Sequence, residues 1–236
     1  MQLFYSPDIK NSLQLDEQES LHAVKVLRLK KGDKIFLTDG IGGFFEMEIV
    51  NPHPKRCELK ILSEKPFSIK DQKHYIHIAM APAKNNERNE WFLEKAIEFG
   101  VDEISFLICN HSERKVINME RMEKLAVVAM KQSLKAKLPK LNPVLPFKEF
   151  MSKAGSVTKF IAHLEEGEKK SLFNAAIPNT SCLVAIGPEG DFSPEEINLA
   201  FKNDFQPVSL GKSRLRTETA ALAACHILNL INESND

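Results

Sequence analysis

Two short segments near the end of the chain carry residue types that could do chemistry. The first is Gly187-Pro188-Glu189-Gly190, which follows the apolar run Ser181–Ile186 and precedes Ser193-Pro194-Glu195-Glu196. Glycines at the end of a strand let backbone groups approach a small molecule closely, and α/β proteins bind ligands at the carboxyl ends of parallel strands. A plain tight turn is the simpler reading of the same four residues. The second segment is Leu210-Gly-Lys-Ser-Arg-Leu-Arg-Thr-Glu-Thr-Ala220, which leaves the short stretch Pro207-Val208-Ser209 and opens a helix. Its Arg214 and Arg216 stand beside a helix N-terminus, which itself favours anions. Together the segments suit a small molecule gripped by backbone atoms, with positive charge at hand for an anion that develops during a reaction.

The chain has 236 residues, with 32 Lys plus Arg against 32 Asp plus Glu. A net charge of zero excludes a bulk polycation, so any nucleic acid must meet local charge. Such an island runs from Ser112 to Lys140, with eight basic residues (Arg114, Lys115, Arg121, Lys124, Lys131, Lys135, Lys137, Lys140) against three acidic ones. It could grip phosphates or simply solvate a helix face. Lys84, Asn85, Glu87 and Arg88 form a further polar loop that could face a substrate.

Other chemistries lack their residues. There is no GxGxxG, and Gly211-Lys212-Ser213 has Gln206 where a phosphate-binding loop needs glycine. The seven His residues are scattered and no HExxH occurs, so no metal site is expected. Cys57, Cys109, Cys182 and Cys225 lie far apart without a CxxC pair, which argues for separate reduced thiols. No apolar run approaches the ~18 residues of a membrane helix, and MQLFYSPDIK has no signal pattern. A cytoplasmic protein without membrane contact is expected.

These residues need a scaffold. The first sixty-odd positions read as β-rich: Lys34–Thr38, a turn at Asp39–Gly43, Phe44–Val50 and Cys57–Leu62. Gln18–Arg28 reads as one helix, and small barrels are built from such pieces. The polar stretch Ser63–Gln72 places a domain boundary there. Beyond it, strands (74–81, 103–108, 158–164, 181–186) alternate with helices (89–99, 119–138, one opening at Ser193, and 217–232). Alternation of this kind indicates an α/β fold with a largely parallel sheet.

The ordered set Lys84-x-x-Glu87-Arg88-x-Glu90-Trp91, Lys95-Ala96-Ile97-Glu98-Phe99-Gly100-Val101, Ser112-Glu113-Arg114, Gln132-Ser133, Gly187–Gly190 and Leu210–Ala220 resembles the ribosomal RNA small-subunit methyltransferase E family. His22-x-x-Lys25-Val26-Leu27-Arg28-Leu29 with Gly32-Asp33 fits the same family's N-terminal domain. The resemblance implies a small PUA-like β-barrel over residues 1–68 that binds RNA. It implies a SPOUT-type, trefoil-knotted methyltransferase domain over 69–236. The implied reaction is methylation of N3 of a uridine in 16S ribosomal RNA with S-adenosylmethionine as cofactor, on the small ribosomal subunit, by a homodimer that needs no metal. Asp191 stands where the family usually has a further glycine.

For the cofactor, the resemblance points to Leu164, Ile186, Gly187, Pro188, Glu189, Gly190, Leu210, Gly211, Leu215 and Thr217. A larger side chain at Gly190 is expected to block the cavity. RNA contacts are expected from Arg28, Lys84, Arg88, Arg114 and Arg214. Arg216 is the first candidate to stabilise a uridine anion, with Arg114 second. The N3 proton could go to Glu218, Glu189 or water. Two other readings stand beside this one: a non-catalytic RNA-binding protein, which leaves the two glycine loops without purpose, and a metabolic enzyme acting on a small substrate.

Overall fold

A computed structural model describes residues 2–65, 74–155, 157–165 and 167–233. They form two compact units, Met1–Asp71 with Val127–Leu138, and Gln72–Ala126 with Pro139–Asp236. The boundary expected at 68/69 lies outside the described residues. Residues 127–138, expected in the second domain, belong to the first unit. Thr38 Oγ1 donates to Ala136 O (2.7 Å), Leu138 N to Gly40 O (2.8 Å), and Lys131 pairs with the buried Glu19.

The first unit is a four-stranded sheet in the order β1 (Leu3–Tyr5), β2 (Lys34–Thr38), β3 (Phe44–Asn51), β4 (Glu58–Lys65). β1 runs parallel to β2 and the other pairs are antiparallel. Alternation puts Ile35, Leu37, Phe45, Met47, Ile49 and Leu59 on one buried face. Asp39 shapes the β2–β3 turn, its Oδ1 accepting from Ile41 N (3.0 Å) and Gly43 N (2.8 Å). Ser63–Lys65, expected as linker, extend β4 against Phe44–Glu46; their exposed polar side chains hide a strand that is held by its backbone. Beyond a four-residue helix α1 (Ile9–Ser12), Asp16 caps α2 (Glu17–Leu21) through Glu19 N. The single helix expected over 18–28 widens at His22–Val26, where Leu27 N reaches back five residues to His22 O (2.9 Å).

The second unit is a parallel sheet in the order β10-β12-β9-β11-β5-β6-β7, with β8 also on β6. In chain order it runs β5 (Ile76–Met80), α3 (Asn86–Phe99), β6 (Glu103–Ile108), α4 (Met119–Gln132, of which only the residues up to Ala126 belong to this unit), β7 (Lys140–Leu141), β8 (Leu145–Pro146) and α5 (Phe147–Lys153). It continues with β9 (Thr158–Ala162), β10 (Lys170–Ser171), α6 (Leu172–Ala175), β11 (Cys182–Ile186), α7 (Pro194–Lys202), β12 (Phe205–Ser209) and α8 (Thr217–Glu233). Every strand of this sheet is parallel to its neighbour. β9, β11, β5 and β6 are apolar along most of their length, as a sheet covered on both faces requires. Ala79, Leu107, Ile161, Leu183 and Ala185 pack with Phe147 and Phe150 of α5, Phe192, and Ile197 of α7. α3 and α8 pack together, and α8 lies on β5. The helix expected over 119–138 stops at Gln132, because Ser133 Oγ turns back to Ala129 O (2.7 Å) and Leu134 takes a φ of 56°.

At the amino ends of β5 and β6, His77 Nε2 lies 2.8 Å from Ser105 Oγ, and Asn142 Nδ2 donates to the same oxygen (2.8 Å). Burial pushes the His77 imidazole down to about 4, despite the nearby Glu103. In the unfolded chain His77 takes its proton near the ordinary value of about 6.5. Between these values the unfolded state binds more protons, so stability is full above pH ~6.5 and falls as the pH drops toward 4. Urea unfolding at pH 7 and 5 is expected to show a loss of up to about 1.4 kcal/mol per pH unit from this group. The loss shrinks in His77→Asn; an equal loss in both proteins would show that His77 is not its source.

Candidate active site

β12, β9 and β11 are neighbours in the sheet, so the loops leaving their carboxyl ends meet at one edge. They enclose a cavity of about 490 Å³. The loop after β9 contributes His163, Leu164 and Lys169, and that after β11 contributes Gly187, Pro188, Glu189 and Asp191. The loop after β12 supplies Leu210, Gly211, Ser213, Arg214, Leu215 and Arg216, and α8 closes the wall with Thr217 and Ala220. Ile186, at the end of β11, also lines it.

Local chemistry shapes each loop. Gly211 sits at φ 130°, where glycine is favoured, and Ser209 Oγ donates to its carbonyl (3.0 Å) and accepts from its N–H (3.2 Å). Asp191, in the place of a family glycine, also adopts a left-handed backbone (φ 61°), which Asp tolerates better than most residues. Its carboxylate accepts from Leu164 N (2.7 Å) and Phe192 N (2.9 Å). The aspartate therefore ties the loop after β11 to the loop after β9. Ser193 and Glu196 then form a full capping box at the start of α7.

Of the residues expected at the cofactor, Leu164, Ile186, Gly187, Pro188, Glu189, Leu210, Gly211, Leu215 and Thr217 all line this cavity, as do Arg214 and Arg216. Gly190 does not. A Cβ there would lie 2.9 Å from His111 Cβ, so the missing side chain makes room for a histidine rather than for the cavity. Glu218 is buried in the first turn of α8 behind the lining, with Arg88 Nε 3.6 Å from Oε1 and no hydrogen-bond partner for Oε2 among the described residues. Glu189 Oε1 accepts from Lys84 N (2.9 Å), and Arg114 Nε donates to Lys84 O (2.9 Å). Lys84 and Arg114 thus gather beside the loop after β11, Arg88 faces Glu218 of α8, and Arg28, exposed at φ 57°, belongs to the first unit.

The basic island is less charged than its composition suggests. Lys131, Lys135 and Lys137 fall in the first unit and the other five in the second. Arg121 pairs with Glu90 (2.6 Å), Lys124 with Glu120 (2.6 Å), Lys140 with Glu103 (2.9 Å) and Lys131 with Glu19. Three of these carboxylates lie outside the segment, or far along the chain, where a count over 112–140 misses them.

His163 is a lining residue that sequence reasoning passed over. Both of its ring nitrogens are buried without a hydrogen-bond partner among the described residues, and its ring meets Phe201 edge-on at 6.1 Å. Burial first, then Lys169, push its pKa down, so it is neutral at pH 7. The sequence places it inside the strand expected over 158–164, whereas that strand ends at Ala162 and leaves His163 in the loop. Among the described residues, no group of His, Cys, Asp and Glu is placed to hold a metal ion. No helix among them is long and apolar enough to cross a membrane.

Comparison with known proteins gives one consistent family. A model of the RNA methyltransferase domain matches residues 70–229, and one of the RNA methyltransferase PUA domain matches residues 15–62. A solved structure of a probable rRNA-methyltransferase from Porphyromonas gingivalis is 40% identical with a TM-score of 0.93, covering 100% of both chains. The ribosomal RNA small subunit methyltransferase E of Neisseria gonorrhoeae, solved bound to S-adenosyl methionine, is 27% identical with a TM-score of 0.84 over 98% of each chain. The enzyme of that name from Rickettsia conorii is 27% identical over 94% of this chain and 91% of its own length. The chain therefore belongs to the RNA methyltransferase family, with that family's PUA domain ahead of its methyltransferase domain.

Proposed function

We propose that this RNA methyltransferase methylates N3 of a uridine in the 16S ribosomal RNA of the small subunit, holding S-adenosylmethionine in the cavity between the loops after β9, β11 and β12. The observation that carries this reading is the cavity itself, about 490 Å³ at the carboxyl ends of three adjacent parallel strands with Arg214 and Arg216 on its lining. That volume falls in the range of small-molecule sites. The two orphaned His163 nitrogens are buried polar groups that a polar ligand would satisfy. Three of these walls would hold the cofactor: Leu164, the Ile186–Glu189 turn, and Leu210, Gly211, Leu215 and Thr217. Bound there, the cofactor supplies an electrophilic methyl group on a sulfonium centre.

Uridine N3 carries a proton and faces its pairing partner in a helix, so the base must be unpaired or flipped to react. Arg216 is proposed to steady the anion left when that proton departs, a role its position on the cavity lining supports. Glu189 faces the cavity but is already engaged by Lys84 N, and Glu218 is buried behind the wall with one unpartnered oxygen. The N3 proton is proposed to pass to one of these two carboxylates or to water. Lys84, Arg88, Arg114 and Arg214 are proposed to meet RNA phosphates, with Arg28 adding a contact from the PUA domain. The small subunit as substrate, a cytoplasmic location and a homodimer complete the proposal. The trefoil knot is proposed at the loops of β9, β11 and β12, three adjacent strands taken out of chain order.

Incubation with S-adenosylmethionine and unmodified small subunits, followed by nucleoside mass spectrometry, is expected to yield N3-methyluridine. Arg216→Ala is expected to lower that rate by at least about 100-fold, the scale of losing one anion-stabilising donor, with thermal unfolding unchanged. A near-native rate would remove Arg216 from the chemistry. Asp191→Ala loses both a charged hydrogen bond and a favourable left-handed residue, so calorimetric affinity for S-adenosylmethionine is expected to drop about tenfold. Asp191→Gly, which restores only the backbone freedom, is expected to fall between the two. Equal affinity in all three proteins would show that the Asp191–Leu164 tie does not shape the cavity.

A further inference from the structure

His111 lies on the segment after β6 that also carries Arg114, and its side chain is spent on the loop after β11. Nδ1 lies 3.0 Å from Gly190 O and 3.0 Å from Asp191 O. Carbonyl oxygens only accept, so this nitrogen holds the proton and donates to both. The packing is equally close: a Cβ on Gly190 would sit 2.9 Å from His111 Cβ, a separation real side chains do not tolerate. The same loop is also held by Lys84 N, which donates to Glu189 Oε1 (2.9 Å). Asn110 N, next to His111, donates to Glu196 Oε1 (2.8 Å) at the start of α7.

We infer that His111 is a positioning residue, a latch whose Nδ1–H fixes the carbonyls of Gly190 and Asp191 and so sets the shape of the loop that forms one wall of the cavity. Gly190 is then glycine on account of His111. The link to the methyl donor rests on the proposed cofactor site, whereas the latch itself is a property of the protein alone. Asparagine places its amide N–H close to where histidine holds Nδ1–H, and glutamine carries it one methylene further out. A bulk or polarity requirement would not separate these two amides; a donor at Nδ1 does.

Amide hydrogen exchange across residues 187–192 is the primary test, run on the full chain as wild type, His111→Ala, His111→Gln and His111→Asn. Exchange is expected to speed up in the Ala and Gln variants by roughly tenfold, the scale of one hydrogen bond, and to stay within about twofold of wild type in the Asn variant. Unchanged exchange in all three, or Asn behaving as Ala, overturns the latch. The steric half is read from a pair of variants. Gly190→Ala should disturb the same amides, and the added His111→Gly should restore them beyond what His111→Gly shows alone. No restoration would return Gly190 to the cavity. Titration with S-adenosylmethionine should then rank the His111 variants in the same order. A wild type that fails to bind it sinks the cofactor reading, and the exchange data still judge the latch.

Discussion

Three parallel strands that touch in the sheet but are scattered along the sequence, β12, β9 and β11, fix where the residues lining the candidate cavity lie. Parallel neighbours send their loops out at the same end. Residues near 164, 189 and 214 therefore share one cavity although about fifty positions of chain separate its extremes. The arrangement needs the loops to hold still against one another. Asp191 does part of this, its carboxylate accepting the Leu164 amide across two loops. His111 and Lys84 hold the loop after β11 at Gly190, Asp191 and Glu189. Hydrogen bonds of the charged kind contribute more than neutral ones, so the aspartate in a usual glycine position stiffens the site.

Charge is distributed to similar effect. A protein of zero net charge can still bind RNA if its basic groups collect where the substrate must arrive. Much of the basic segment 112–140 is instead paired with Glu19, Glu90, Glu103 and Glu120. The arginines that remain at the cavity, Arg214 and Arg216, lie in the loop leading into α8, where the helix dipole adds to their field. Local attraction at the site, with neutralised flanks, suits an RNA methyltransferase better than a protein that coats a strand.

Most of the architecture was legible in the sequence, since buried parallel strands announce themselves as short apolar runs and Ser193-Pro194-x-Glu196 is an explicit helix start. Features held by backbone or by distant partners were not. Ser63–Lys65 has the composition of a linker and pairs as a strand. Phe147–Lys153, a short amphipathic turn between prolines and a polar stretch, gives too few repeats to show a period. At the site, the two loops and their arginines could be read from glycines at strand ends. Gly190 is expected at the cavity, whereas its missing side chain makes room for His111, a neighbour that only three dimensions bring to it. His163 was invisible for want of a motif: a lone histidine inside an expected strand has no spacing to report.

The central claim is that the turns at 187–191 and 210–217, with Leu164, form the seat of the methyl donor beside Arg216. A crystal structure of the protein with S-adenosylmethionine tests it most directly. The account predicts the sulfonium enclosed by those three loops with the methyl group open toward the Arg216 side. A donor bound elsewhere, or one enclosed there with Arg216 turned away from the methyl group, would contradict it.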